Sequence, residues 1–165
     1  MSLAVLFSIS AQEVFKLRAQ RDDDARLEYI QSELEPRYFA EEPDRMCGLD
    51  KSWDAMHRAL TKGTLESPDA SYPLSHVILG GESVYGAEDY IMMLKTPAQV
   101  SDIAAAIQGI DESAFRSRYN RIDPADYSEH DEDDLEYTWE CFDESKAFWQ
   151  LAAEENRHVL FTADQ

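Results

Sequence analysis

A single α/β domain is the fold class this sequence predicts. Apolar runs of strand length alternate along the chain with stretches of helical periodicity, the pattern of a layered sheet-and-helix fold. The 165 residues suit one domain, and at that size about 70% of the unfolded surface can be buried. Apolar residues make up 44% and aromatics 11%, enough for a core although 30% of residues are charged. No internal repeat and no low-complexity linker divides the chain.

The elements follow in order. Residues Leu3 to Ser8 are short and apolar, which suits a buried first strand. Ser10 with Glu13 three residues on predicts a capping box for a helix from Ala11 to about Gln20. Asp22, Asp23 and Asp24 predict a second helix, since negative charge complements a helix N-terminus. Leu27, Ile30 and Leu34 form its apolar stripe, and Pro36 is expected to end it. A third helix is expected from Asp50, where an N-cap belongs, because Trp53, Met56, His57 and Leu60 repeat at helical spacing before Gly63. Thr64 to Pro73 reads as a loop, and Leu74 to Leu79 as a strand halted by Gly80 and Gly81, with a tight turn through Gly86. Asp89 to Lys95 is a further strand. Thr96, Pro97 and Gln99 then supply cap, first-turn proline and capping-box partner for a helix that stops at Gly109. A short helix from Asp111 to Tyr119 and a polar turn from Arg121 to His130 come next. Asp131 to Asp134 opens a long helix with Leu135, Trp139, Phe142 and Trp149 as its stripe, closed by Asn156. His158 to Thr162 is the last strand.

Charge excludes some functions. The 34 acidic and 15 basic residues give a formal charge of −19, which repels nucleic acid and anionic membrane. Lysines and arginines are scattered singly, without the aromatic interleaving of a nucleic-acid platform. The same charge suits a partner with a basic face, or simply keeps the protein soluble. Cys47 and Cys141 form no CxxC pair and are read as reduced thiols. With no basic leader and no run of about eighteen apolar residues, the expected location is the cytoplasm, with no membrane span.

Two blocks carry a family resemblance. Leu49-Asp50-Lys51-Ser52-Trp53-Asp54, followed by His57 and Leu60-Thr61, is similar to the "LDKSW…H…LT" signature of the YfbM-like proteins, the DUF1877 family. Pro73-Leu74-Ser75, running into Val77-Ile78-Leu79-Gly80-Gly81-Glu82, resembles the second signature, "PLS…LLGGE". The likeness extends over nearly the whole chain, with one departure: Asp44-Arg45-Met46-Cys47-Gly48 precedes the first block where a more acidic or apolar lead-in is expected. The resemblance implies a three-layer α/β/α sandwich with a mixed sheet. It implies no reaction.

The residues that could carry chemistry are few. Asp50, Lys51, Trp53 and His57 of the first block, with Gly80, Gly81 and Glu82 of the second, are the candidate binding residues. His57 shares a face with Trp53 and Met56, which favours a core histidine held by one hydrogen bond over a functional one. Asp54 and Arg58 are expected to pair across one helical turn. Gly80 to Gly86 matches neither a nucleophile elbow nor a phosphate loop, and reads as a turn. No residue is assigned as catalytic or as a metal ligand, and no cofactor is indicated. The leading expectation is a non-catalytic acidic binding domain for a basic protein partner, inhibitor- or immunity-like, such as one that neutralises a basic toxin. The competing expectation is an enzyme or small-ligand protein whose pocket is shared by the two blocks.

Overall fold

A computed structural model describes residues 3–66 and 69–165. Met1 and Ser2, in the apolar opening, and Ser67 and Pro68, in the predicted loop, lie outside the described residues. Five strands form one sheet: β1 (Ala4–Ile9), β2 (Met46–Asp50), β3 (Glu82–Ser83), β4 (Tyr90–Lys95) and β5 (His158–Asp164). Their order is β2-β1-β5-β4-β3.

Every strand pair is antiparallel, so the sheet is not the mixed one expected. The reason lies in the connections. Lys95, the last residue of β4, pairs with Val159 near the start of β5. Several helices in succession therefore carry the chain out and back to the same end of the sheet, whereas a single crossover helix would return it to the far end and make a parallel pair.

Side chains alternate across the sheet and feed two cores. Ala4, Leu6, Val159, Phe161 and Ala163 face one; Phe7, Ile9, Leu160, Met92 and Leu94 face the other. The first core is covered by α4 (Trp53–Leu60), α5 (Pro97–Gln108), α6 (Glu112–Tyr119) and α7 (Glu132–Glu154). The second is covered by α1 (Ala11–Arg18), α2 (Asp23–Tyr29) and α3 (Glu35–Glu41).

Local signals act where they were read. Ser10 and Glu13 form the predicted capping box of α1, and Thr96 and Gln99 that of α5. Asp22, Asp111 and Asp131 each accept a hydrogen bond from the third residue on. Asn156 closes α7 with a φ of 53°, a left-handed conformation that asparagine tolerates.

Three expectations are corrected. Pro36 does not end the helix. A π turn over Ile30–Leu34, closed by the Glu35 N–H on the Ile30 carbonyl, precedes it, and Pro36 enters the first turn of α3, where its missing N–H costs nothing. Leu74 to Leu79 is not a strand but a 3₁₀ turn, Leu74–His76, and a compact bend. Val77 and Ile78 are consecutive and both fully buried, which an alternating strand would not give, and the Gly80 N–H turns back onto the Ser75 carbonyl at 2.9 Å. Finally, the departing lead-in Met46-Cys47-Gly48 is edge strand β2, which carries the chain through Asp50; the helix starts only at Trp53.

Candidate functional site

The β2–α4 junction is built around Asp50. Its φ of 48° is left-handed, a conformation that aspartate adopts more readily than most residues, and it turns the chain sharply out of β2. Asp50 is therefore not the N-cap of α4. Ser52 holds that place and donates to the Leu49 carbonyl at 2.6 Å instead of capping the helix. The turn exposes Lys51 and folds Trp53 back to pack on Phe161, ring centroids 5.9 Å apart.

Opposite this junction runs the segment from Asp126 to Tyr137, the end of the polar turn and the first turns of α7. Between the two lie adjoining depressions of about 500 and 610 Å³ that share Lys51, Ser128 and Glu129. Trp53, Asp54, Arg58, Asp126 and Tyr127 line one; Asp50, Asp131, Asp134 and Tyr137 line the other.

Tyrosine–carboxylate bonds hold the walls together. Tyr137 donates to Asp50 Oδ2 at 2.9 Å, tying α7 to the end of β2. Tyr119 and Tyr127 both donate to Asp134, at 2.6 and 3.1 Å to Oδ2. Burial, then the neighbouring carboxylates, push all three phenols well above their ordinary range, so they stay protonated as donors. Arg58 bonds Asp54 at 2.6 Å, as its spacing predicts, and also lies over the Tyr127 ring at 5.6 Å.

What remains uncommitted is mostly negative. Asp54 neutralises Arg58, leaving Lys51 as the cation against Asp50, Asp126, Glu129, Asp131 and Asp134. Asp50 Oδ1 is buried and has no hydrogen-bond partner among the described residues, although Oδ2 has one. Among those residues no group of three or more His, Cys, Asp and Glu side chains is arranged to hold a metal ion. The arrangement instead offers carboxylates spread along a wall of buried Trp53 and Tyr127 and half-buried Tyr137.

Asp50, Lys51 and Trp53 thus share one cleft. His57 lies behind it in the core, fully buried, its Nε2 at 2.8 Å from the Glu66 carbonyl oxygen. Burial holds its pKa below the ordinary histidine value, so it is neutral near pH 7. Gly80, Gly81 and Glu82 lead into β3, at the opposite edge of the sheet from β2. Glu82 pairs with Arg18 at 2.5 Å and lines a separate depression. The two glycines serve the backbone: a Cβ at Gly80 would lie 2.4 Å from the Ser75 carbonyl oxygen, and Gly81 has a φ of 117°. The two blocks accordingly do not line one pocket.

Sequence reasoning missed the opposite wall. Asp131 to Asp134 was legible as a helix start, but nothing local says that Tyr119, Tyr127 and Tyr137 converge on Asp134 and Asp50 across intervals of 7 to 87 residues.

Among the described residues, no helix is long and apolar enough to cross a membrane. The fold is similar to the crystal structure of YfbM from Escherichia coli, described as a protein of unknown function. The two share 17% identity and a TM-score of 0.64 over 98% of this chain and 99% of that one, a likeness that shows the fold alone. None of the curated proteins compared matches the chain. Residues 1–162 match the family model described as "Domain of unknown function (DUF1877)", and the chain belongs to that family.

Proposed function

We propose that this protein is a non-catalytic binding domain whose acidic cleft receives a lysine or arginine side chain from a basic protein partner. The observation that carries the reading is the charge of the cleft: Asp50, Asp126, Glu129, Asp131 and Asp134 line it, and Lys51 is the one cation among its described lining residues that no ion pair holds. An incoming ammonium or guanidinium would meet several carboxylates that no cation neutralises. At about 4 Å each surrounding carboxylate would attract that cation by about 1 kcal/mol at water-like screening and about 4 kcal/mol in a partly closed site, before desolvation. Tyr137, half-buried in the wall of the cleft, gives aromatic surface for the aliphatic stem. The formal charge of −19 would speed encounter with a basic surface.

A titration with a fluorescent arginine-rich peptide tests this. Binding is expected to weaken as salt screens the field beyond about 10 Å. Asp50→Asn, which keeps an acceptor for Tyr137 but removes the charge, is expected to reduce affinity by about tenfold, equivalent to about 1.4 kcal/mol. Equal affinity of wild type and Asp50→Asn would sink the proposal.

A further inference from the structure

The two edges of the sheet are finished differently. At one, β3 spans only Glu82 and Ser83, and Arg18 pairs with Glu82. A short, charged edge is a usual defence against pairing with a foreign strand. At the other, β2 is five residues long, uncharged until Asp50, and hydrogen-bonded to β1 alone. Its register is regular from Met46 to Gly48. Backbone N–H and C=O groups alternate in direction along a strand, so those on the outer side of β2 meet no ladder. Among the described residues, no backbone hydrogen bond outside the sheet involves Met46, Cys47 or Gly48.

The two faces beside this open edge differ in chemistry. On the side of the second core, Val5 and Met46 are only half-buried, and Gly48 is exposed, with open space where a Cβ would stand. Phe39 of α3, its ring 6.4 Å from that of Phe7, is 53% exposed. Register joins these residues, because Val5 pairs with Gly48 and Phe7 with Met46, so they form an apolar strip open to solvent. On the side of the first core, Cys47 pairs with Leu6 and lies under α7. Burial, then the nearby Cys141 and Glu144, push the Cys47 thiol up to about 11, which sets the Glu144 carboxylate beside the strand. Asp133, Glu140 and Glu144 recur at helical spacing along α7, all exposed, and no ion pair holds them among the described residues.

A strand added to β2 would therefore turn one set of alternate side chains to an apolar strip and the other set to carboxylates. A second copy of this chain does not suit the edge. Pairing β2 with β2 would join two molecules of formal charge −19 and bring two acidic α7 flanks to the seam. The complementary occupant is a segment in which apolar and basic residues alternate.

Resting on the basic-partner reading above, we propose that the partner docks by adding such an extended segment to the open edge of β2, next to the cleft that Asp50 lines. Two peptides of one composition test this, the first alternating valine and lysine, the second carrying the valines and lysines in separate blocks. With the alternating peptide, amide hydrogen exchange of the full chain is expected to slow within Met46 to Gly48, and affinity is expected to exceed that of the block peptide by about tenfold. Phe39→Ser, at a position already exposed, is expected to abolish that advantage. Unchanged exchange in β2, equal affinity of the two peptides, or an advantage that survives in folded Phe39→Ser would each overturn the docking edge. In those cases, shifts of Asp50 and Asp134 resonances by both peptides would leave the cleft reading standing, whereas no binding by either peptide would overturn both readings.

Discussion

Lys95 is an instructive single residue in this chain. Its side chain is fully buried beneath the 3₁₀ turn, with Nζ 2.5 Å from the Ile78 carbonyl oxygen and 3.3 Å from that of Met93, and 5.5 Å from the centroid of the Phe161 ring. Its hydrogen-bond partners are carbonyls rather than a carboxylate, and burial drives its pKa well below the usual lysine value. The sign of the consequence is fixed by linkage. Between the folded-state pKa and the unfolded value near 10.4, the unfolded chain binds the extra proton, so stability rises with pH, by about 1.4 kcal/mol per pH unit. Lys95→Met removes this contribution. Denaturant unfolding at several pH values across that window should give a flatter pH dependence for the variant; identical slopes would show that Lys95 is charged in the folded state. His57 acts in the same sense at lower pH, because its lowered pKa makes it lose stability as the solution is acidified below about 6.5.

At the scale of elements, stability rests on chain ends and turns. Thr96→Ala removes half of the capping box of α5 and is expected to cost about 1 kcal/mol, measured by chemical denaturation. Gly81→Ala should cost more, about 2 kcal/mol or above. Its φ of 117° disfavours any L side chain, and the new Cβ would lie 2.5 Å from the Leu94 carbonyl oxygen in the β3–β4 ladder. These two features were legible in the sequence because caps and glycine turns are local chemistry. So were β1, β4, β5 and the long α7. What was not legible depended on distant contacts: β2 is an edge strand with a glycine in its middle, β3 spans two residues, and the run Val77-Ile78 is apolar whether it forms a strand or a buried bend. Half of the cleft was visible for the same reason. Asp50, Lys51 and Trp53 belong to one local block, whereas Tyr137 is brought to Asp50 by α7 docking on β2 and Tyr127 by the turn before α7 folding back onto Asp134.

For the whole molecule, one antiparallel sheet separates two cores. The acidic cleft lies where α7 meets the β2–α4 junction, and the open edge of β2 runs up to it. The first of these is proposed to receive a basic side chain. Chemical-shift mapping of the isotopically labelled protein, titrated with an arginine-rich peptide at moderate salt, is the measurement to make first. Shifts concentrated at residues 50–54 and 126–137, and lost in Asp50→Asn, are expected. Shifts spread evenly over the acidic surface, or the same pattern in the variant, would contradict it.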